Sequence, residues 1–480
     1  MLRILLTSIR GDQQIYKKHV LHLIILLSLF MIKLCILILQ AIRIGEGETR
    51  MYRIPFSKAY LDFELPAHMR GTYAASRPVE PLADVEEAIE KALVAPINCP
   101  PLRELAKQGD TVCIVFTDIT RNTPEHLLVP ALLDMLHTAG VRDEDLTLLC
   151  GTGLHRPSTP QEKVIKLGQS IVDRYRVLDH EPFNLAGLED LGVTESGIPL
   201  SVNKIAYQAD LLIATGIVEP HQYAGYSGGP KTLAIGAAGE PMIAHTHGPQ
   251  MVDHPGTRLG KIEGNIFHQA VTEAARRAGL DFILNVVQDD RKRPVAIFAG
   301  TPEDTFERLV KAAKRLYEVP IQQQYDVVVA GVGFPKDMNL YQASRAASQL
   351  FFAPTSVVKD GSVFIIPAPT PEGAGQGEGE RRFLETMRSG TDMVSLLAEL
   401  RRTGYPPGAQ RAFVMAKVLE KNHVVIVGTE TPEVVRQLHM IPAADMDEAF
   451  RIAVSKIGRN ELEVLIVPQA LLTLPVGRNG

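Results

Sequence analysis

Short apolar runs rich in β-branched residues alternate with longer amphipathic stretches along this chain from Asp110 onward. The apolar runs are continuous, which is typical of strands that are covered on both faces. Strands that alternate with helices in this way pair in parallel sheets and form α/β layers. The strand runs are residues 111–116, 146–150, 211–215, 282–287 and 295–298, and they are followed by a helix over residues 302–317.

A second alternating region begins after residues 322–324. Its strand runs are residues 326–330, 362–367, 424–427 and 463–467, and its helical stretches are residues 394–402, 411–420 and 446–456. We therefore predict two α/β domains with parallel or mostly parallel sheets, over residues 51–318 and 319–480. Such sheets bind ligands at the carboxyl ends of their strands, and we expect the active site to lie between the two domains.

The first fifty residues depart from this pattern. Residues 20–42 are almost wholly apolar and follow Lys17 and Lys18, and their length suits a membrane span or a signal anchor. Met51 begins an ordinary globular sequence, which favours the interpretation that residues 1–50 are an upstream extension absent from the functional protein. A real anchor is the alternative. On either interpretation, residues 1–50 are left out of the fold prediction.

The charge balance excludes one class of partner. A net charge of -5 at pH 7 argues against a nucleic-acid-binding protein, which usually carries a basic face. The four cysteines are scattered and form no C-x-x-C pair, so neither a disulfide framework nor a cysteine-rich metal site is expected. We predict a cytoplasmic enzyme that acts on a small molecule. The sequence gives no indication of its oligomeric state.

Three imidazoles and one amine lie in glycine-rich segments that follow predicted strands. They belong to His155, His221, Lys231 and His247. Because the carboxyl ends of parallel strands meet at one edge of a sheet, we expect these side chains to gather there. Together they supply a general acid, a general base, a metal ligand and a nucleophile. For each residue alone the alternative is structural: a histidine packed against a strand end, or a lysine in solvent.

Asp118 and Arg121 stand between a predicted strand and a predicted helix. One interpretation is a helix cap followed by an exposed arginine. The other is an anchor for a carboxylate ligand, because a guanidinium group binds a carboxylate through two hydrogen bonds.

Two glycine-rich segments resemble nucleotide-binding motifs but fail on inspection. Residues 225–232 place a proline before the lysine, where a P-loop requires glycine, and residues 330–336 lack the third glycine of the dinucleotide motif. Neither segment supports an ATPase or a conventional NAD enzyme. Backbone amides in such loops still offer a site for a phosphate.

Taken in order, these motifs resemble those of the nickel-pincer-dependent lactate racemase family. Members have Asp-x-x-Arg after a strand, then a Gly-Leu-His-Arg loop, then a His-x-x-x-Gly-x-Ser-Gly-Gly-x-Lys segment with another histidine shortly after. The resemblance extends over essentially all of the chain from Met51, and several long motifs in order make it specific. The matching residues are Asp118, Arg121, His155, His221, Lys231 and His247.

The resemblance implies a two-domain α/β isomerase, a racemase or epimerase of 2-hydroxy acids. It implies a nickel-pincer nucleotide as the cofactor: pyridinium-3,5-bisthiocarboxylic acid mononucleotide, whose two sulfurs and ring carbon hold nickel. In the family the reaction proceeds by reversible hydride transfer to this cofactor, because an α-carbon proton beside a hydroxyl is too weakly acidic for ordinary removal. Two histidines serve as the acid/base pair.

The same resemblance implies a role for each matching residue. His155 and His221 are the implied acid/base pair, Lys231 is covalently bound to the cofactor through a thioamide, and His247 is the nickel ligand. Further cofactor contacts are implied for Asp118, Gly228 and Gly229. Substrate contacts are implied for Arg121, Tyr341, Gln342 and Arg345.

One position departs from the family pattern. The family's Tyr-Gln-x-x-Lys segment is Tyr341-Gln342-Ala-Ser-Arg345 in this chain. Arginine presents a wider fork of donors than lysine, so the exchange is not conservative. It predicts a 2-hydroxy acid other than lactate, with another carboxylate or a longer polar tail.

Two other functions remain open from the residues alone. A metal hydrolase would place two or three of the histidines around zinc, but it gives Lys231 no role. A non-catalytic protein that binds a nucleotide or a sugar acid would keep the pocket without its chemistry. A covalent cofactor on Lys231 distinguishes the racemase hypothesis from both.

Overall fold

The computed structural model describes residues 51–195, 197–406 and 408–477. The apolar stretch 20–42, with the rest of residues 1–50, lies outside the described residues. Within the described ranges, no helix is both long enough and apolar enough to cross a membrane. Two six-stranded sheets organise the chain from Met51 onward.

The first sheet is formed by residues 112–300. Its strand order, from edge to edge, is Pro294–Gly300, Phe282–Gln288, Leu211–Ile217, Val112–Thr117, Leu146–Gly151 and Arg176–Asp179. All neighbours pair in parallel except the first two, which are antiparallel. The second, third and fourth strands in this order are buried at every residue, which explains their continuous apolar sequences.

Helices cover both faces of the first sheet. One face packs against Val85–Val94, Leu102–Leu105, Glu125–Thr138, Pro160–Leu167 and Gln169–Arg174. The other packs against Lys204–Tyr207, Lys231–Ala234, Glu240–Thr246, Pro249–Asp253, Ile266–Arg277 and Pro302–Tyr317. The last helix has the predicted bounds. Its first turn has acidic residues and its last turn has basic residues, and both interact favourably with the opposite charges of the helix dipole.

The second sheet is parallel throughout. Its strand order is Ile441–Ala443, His423–Val427, Val358–Pro367, Tyr325–Ala330, Leu462–Val467 and Met69–Tyr73. One face packs against Leu340–Ala343, Arg345–Phe351, Glu378–Ser389, Met393–Thr403, Gln410–Lys421 and Pro432–Gln437. The other face is covered by Met446–Ile457 and by the hairpin of Met51–Phe56 with Ala59–Glu64. The predicted α/β class with mostly parallel sheets is confirmed.

Met69–Tyr73 is an edge strand of the second sheet, and the hairpin before it packs on that sheet, although the sequence analysis grouped residues 51–318 together. Met69–Tyr73 pairs with Leu462–Val467, and Ile54 and Phe63 of the preceding hairpin are buried in the core on that sheet. The partner strand lies near the other end of the chain. No local sequence pattern reveals a pairing between segments so far apart.

Small elements complete the described part of the chain. Two-stranded sheets join Leu188–Val193 to Pro199–Asn203, Pro220–His221 to Gly225–Tyr226, and Glu318–Ile321 to Leu474–Gly477. The third of these pairs the connection between the two large sheets with the C-terminal strand. Single 3-10 turns occur at Asp143–Asp145, Leu185–Gly187 and Lys336–Met338.

Candidate active site

The predicted site residues lie on loops at one edge of the first sheet. His221 follows a central strand, while Asp118 and His155 follow the next two strands in the sheet order. These three strands are parallel, so their carboxyl ends meet at the same edge. The loops do converge: His155 is hydrogen-bonded to Asp118, and His221 lies within electrostatic range of Lys231 and His247.

A glycine turn places Lys231 at this edge. Gly228 and Gly229 have φ values of 74° and 55°, a region that residues with side chains rarely adopt. A Cβ on Gly228 would lie 2.7 Å from Asn285 Oδ1, and one on Gly229 would lie 2.4 Å from a ring carbon of Phe306. The Gly229 amide donates to the buried Asn285 Oδ1 at 2.8 Å. The turn therefore requires glycine at both positions, and the helix of Lys231 begins directly after it.

The amine of Lys231 is adapted to act as a nucleophile. Burial lowers its pKa to about 7, helped by the positive charge of Arg121 and opposed by Glu219 and Asp118. At neutral pH a large fraction of the amine is therefore unprotonated. Only an unprotonated amine has the lone pair that attacks an electrophilic carbon.

His155 and Asp118 form a hydrogen-bonded pair. The distance between His155 Nδ1 and Asp118 Oδ2 is 2.7 Å, and Thr120 Oγ1 donates to the same carboxylate at 2.7 Å. Burial opposes ionisation of Asp118, but the hydrogen bonds and Arg121 outweigh it and hold the pKa of this carboxyl below its ordinary value. An ionised Asp118 places the imidazole proton on Nδ1. Nε2 of His155 is then free to accept a proton, and 53% of this side chain is exposed.

His221 is held in the opposite tautomer. Its Nδ1 accepts hydrogen bonds from the backbone N–H groups of Tyr223 at 3.3 Å and Ala224 at 3.2 Å. The proton of the neutral ring therefore lies on Nε2, which is a donor. Burial, followed by the charges of Lys231 and Arg121, keeps the pKa of His221 well below its ordinary value.

His247 has one ring nitrogen fixed and the other free for a ligand. It caps the helix Glu240–Thr246, and its Nδ1 lies 2.9 Å from the carbonyl oxygen of Ile243. Donation to that carbonyl leaves a lone pair on Nε2, the arrangement usual for histidines that bind metals. The rings of Tyr223 and Phe267 flank the imidazole edge-on. Burial lowers the pKa of His247 to about 4, so the ring is neutral at pH 7.

Three of the four predicted substrate residues, Tyr341, Gln342 and Arg345, come from the region that follows Tyr325–Ala330 of the second sheet. Arg345 Nη1 donates to Gln342 Oε1 at 3.1 Å, and Arg411 lies over the ring of Tyr341 at 5.9 Å. Burial, together with the neighbouring Arg411 and Arg121, lowers the pKa of Arg345 to about 10. The charge of Arg345 beside the second sheet therefore interacts with that of Arg121 on a loop of the first.

The match to known proteins covers nearly all of this architecture. Residues 56–260 match the lactate racemase N-terminal domain, and residues 321–474 match the lactate racemase C-terminal domain. The chain is 32% identical to lactate racemase from Thermoanaerobacterium thermosaccharolyticum over 424 residues, 87% of this chain and 97% of that protein. The chain belongs to the lactate racemase family.

Other members and solved structures agree with this assignment. Lactate racemase from Lactiplantibacillus plantarum is 32% identical over 387 residues, which cover 80% of this chain and 90% of that protein. The lactate racemase apoprotein from T. thermosaccharolyticum superposes with a TM-score of 0.79 at 30% identity, covering 89% of this chain and 100% of that one. A Thermotoga maritima protein shares the fold alone, with a TM-score of 0.60 at 19% identity over 82% of this chain and 98% of that one.

The side chains of this family member fit the cofactor that the family resemblance implies. A covalent tether requires an unprotonated amine, and Lys231 has one at neutral pH. A nickel ligand requires a neutral imidazole with an oriented free nitrogen, and His247 has both. Within the described ranges, no cluster of three or more His, Cys, Asp or Glu side chains has the arrangement of a metal site.

Several residues that shape the site were not predicted from the sequence. Lys166 donates to the backbone carbonyls of Arg121 at 3.2 Å and Thr123 at 2.9 Å, and thereby fixes the loop that carries Arg121. Tyr405, from the second region, donates to the His247 carbonyl at 2.8 Å. Sequence offers no signal for either, since a single lysine or tyrosine in a polar segment usually faces solvent.

Other histidines have structural surroundings. His180 is buried, with Nε2 2.8 Å from the Ala238 carbonyl and Nδ1 3.2 Å from Asn203 Nδ2. His254 Nδ1 accepts from the backbone of Gly256 at 3.0 Å. Both ring nitrogens of His180 and one of His254 are therefore used by contacts within the fold.

Proposed function

We infer that this family member is a racemase or epimerase of a 2-hydroxy acid, with a nickel-pincer nucleotide bound covalently to Lys231 and nickel bound by His247. The observation that carries this proposal is that four side chains with different protonation and hydrogen-bonding states lie at one edge of the first sheet. Lys231 is partly unprotonated at neutral pH, His247 has a free Nε2, His155 is an acceptor and His221 is a donor. We further propose that the enzyme acts in the cytoplasm.

When bound, the nucleotide supplies an acceptor and donor of hydride for the substrate α-carbon. The protein has three other tasks. Arg121 binds the substrate carboxylate through its guanidinium fork, in a loop that Lys166 holds in place. His155 takes the hydroxyl proton at Nε2, and Asp118 stabilises the imidazolium that forms. The aromatic rings of Tyr223 and Phe267 keep water away from His247.

The opposite tautomers of the two histidines fit a reaction that interconverts mirror images. The hydroxyl groups of the two enantiomers point in different directions when the carboxylate is fixed. Nε2 of His155 can accept a proton, whereas Nε2 of His221 carries one and is a hydrogen-bond donor. As His155 takes the hydroxyl proton of one enantiomer, the Nε2–H of His221 would hydrogen-bond the oxygen in the other orientation. The proton held by His155 would return through solvent to that oxygen when the new hydroxyl group forms.

The test is enantiomer conversion by the nickel-loaded protein over a panel of 2-hydroxy acids, followed by chiral chromatography. Conversion in both directions to a near-equal mixture is expected for at least one acid. A zinc hydrolase would show no conversion and no modification of Lys231, and its activity would depend on zinc. A non-catalytic binding protein would bind acids or nucleotides without converting them.

A further inference from the structure

Asn265 is a fully buried residue whose carboxamide is hydrogen-bonded through both its oxygen and its nitrogen. It precedes the helix Ile266–Arg277, and its Oδ1 caps this helix by accepting from the backbone N–H groups of the second and third helical residues, at 3.0 Å and 3.2 Å. Its Nδ2 donates to the backbone carbonyls of Tyr223 at 2.8 Å and Lys261 at 2.9 Å. The oxygen therefore stabilises the helix, whereas the nitrogen binds two loop carbonyls and takes no part in the cap.

The Nδ2 contact reaches His221 through a single peptide group. The carbonyl of Tyr223 and the N–H of Ala224 belong to the same peptide, and this N–H donates to His221 Nδ1 at 3.2 Å. A trans peptide group is planar, so its C=O and its N–H point in opposite directions. Nδ2 of Asn265 holds the oxygen and thereby directs the N–H at the imidazole. The hydrogen bond on the oxygen also polarises the peptide, which strengthens its N–H as a donor.

The Oδ1 side of Asn265 leads to His247. Phe267, the second residue of the capped helix, is fully buried, and its ring centroid lies 5.2 Å from that of His247 and 6.3 Å from that of His221. The cap therefore fixes the ring that packs on the proposed nickel ligand. The two halves of one carboxamide serve different parts of the site, the nitrogen that of His221 and the oxygen that of His247.

A backbone hydrogen bond joins the same two loops independently of Asn265. The Gly260 amide donates to the carbonyl oxygen of Gly225 at 2.9 Å, so residues 260–265 run along the loop that follows His221. Replacement of Asn265 is therefore expected to leave the loops in contact and to free the peptide between Tyr223 and Ala224.

We propose that Asn265 is a positioning residue of this reaction: its Nδ2 fixes the peptide between Tyr223 and Ala224, and this peptide keeps Nδ1 of His221 an acceptor and Nε2 a donor. The proposal rests on the proposed function, in which His221 acts through its Nε2–H. Asn265 acts through His221, at a distance of one peptide group.

Asn265→Asp separates the two halves of the carboxamide. The introduced carboxylate still accepts at the helix cap, but it has no N–H for the carbonyl of Tyr223. We expect kcat per bound cofactor to fall about 10- to 100-fold, the range seen when a residue that orients a metal-binding histidine is replaced. KM should stay near the wild-type value, because Arg121 still binds the carboxylate.

Asn265→Ser is the second variant, because serine keeps a capping oxygen and adds no buried charge. It carries the test if Asn265→Asp does not fold, which urea unfolding would show. The same fall in kcat is expected. Wild-type kcat in a folded variant that lacks the amide nitrogen overturns the proposal.

Asn203→Asp is the matched control. Asn203 is also a buried asparagine that caps a helix, Lys204–Tyr207, and its Nδ2 contacts the structural His180 at 3.2 Å. Its replacement is expected to leave kcat unchanged. A fall equal to that in Asn265→Asp would mean that loss of any buried amide donor lowers activity, which contradicts the proposal.

The path of the effect is tested in the His221→Ala background. Asn265→Asp should cause little further loss of racemisation there, because its effect passes through the imidazole that has been removed. Equal fold-losses in the wild-type and His221→Ala backgrounds would show that Asn265 does not act through His221, and the proposal would be wrong.

Nuclear magnetic resonance of the cofactor-free protein separates this inference from the proposed function. In protein that contains nitrogen-isotope-labelled histidine, the Nδ1 resonance of His221 is identified by its absence in His221→Ala. It should move in Asn265→Asp and stay in place in Asn203→Asp. If it moves while no acid is racemised, the positioning role stands and the proposed function fails. An unmoved resonance in Asn265→Asp overturns the positioning role, whatever the activity.

Discussion

The two sides of the site are built differently. On the side of the first sheet, the backbone fixes each functional group: Ile243 holds His247, the amides of residues 223–224 hold His221, and a glycine turn places Lys231. On the side of the second sheet, the cation of Arg345 is held through another side chain. Groups fixed by the backbone keep their geometry when neighbouring side chains change. We infer that the first side sets the reaction and the second sets the choice of substrate.

The largest effect is expected from Lys231→Ala, which removes the proposed attachment point of the cofactor on the first side. Activity and cofactor retention should both be lost, because the variant has no amine at the end of the glycine turn. Lys261→Ala, an exposed lysine nearby, is the control and should retain both. Covalent cofactor in Lys231→Ala would show that Lys231 is not the attachment point. It would also contradict the inference that the first side sets the reaction.

The next largest effect is expected from the two histidines of the first side. His155→Ala and His221→Ala should each lower racemisation by about 10²–10⁴-fold, the usual contribution of a general acid or base. Cofactor occupancy, measured by mass, should remain as in wild type. His68→Ala, at an exposed histidine, is the control. Near-normal racemisation by either site variant would contradict the two-histidine mechanism.

Lys166→Met tests whether the first side of the site depends on the hydrogen bonds that the buried Lys166 donates to the loop of Arg121. Without the bonds from Lys166 to the carbonyls of Arg121 and Thr123, the loop of Arg121 loses its position, and KM should rise about 10-fold for every 2-hydroxy acid. Lys163→Met is the control, since Lys163 lies on the same helix but pairs with Asp179. An equal rise in both variants would indicate a general loss of stability, which urea unfolding would show.

A smaller and more selective effect is expected from Arg345→Lys on the second side. The ranking of acids by kcat/KM should shift toward smaller ones such as lactate by several-fold, because lysine offers a single point charge where arginine offers a fork. Arg121→Ala should instead lower kcat/KM by a similar factor for every 2-hydroxy acid, because all of them share the carboxylate. An equal fall in kcat/KM for all acids in Arg345→Lys would show that Arg345 does not select the substrate. The proposed difference between the two sides would then be wrong.

The smallest effect concerns stability of the cofactor-free protein against pH. The pKa of His247 is about 4 in the folded chain and 6.5 in the unfolded chain, and the pKa of His221 is also lowered. The unfolded chain thus binds more protons below pH 6.5, so stability is fully present above that pH and falls as pH drops toward 4. Between pH 6.5 and 4.5, the urea midpoint of His247→Gln should depend less on pH than that of His68→Gln. Parallel curves would show that burial does not control this histidine.

Sequence reasoning succeeded where signals are local. Continuous apolar runs identified five of the six strands of the first sheet and four of the six of the second. The loops after three of these strands carry Asp118, His155 and His221 at one edge, as expected for parallel strands. Sequence reasoning failed where the cause is non-local. The pairing of Met69–Tyr73 with a distant strand, and the buried position of Lys166, depend on which segments meet in space. A lysine in an amphipathic segment has the same local sequence whether it faces solvent or the site.

The central claim is that Lys231 carries the cofactor, and peptide mass analysis of the denatured, nickel-loaded protein tests it most directly. The protein should be produced in cells that make the nickel-pincer nucleotide, digested, and compared with Lys231→Ala. The account predicts that the peptide containing Lys231 carries the added mass of the nucleotide in any preparation that racemises a 2-hydroxy acid. An unmodified Lys231 peptide in an active preparation would contradict the account.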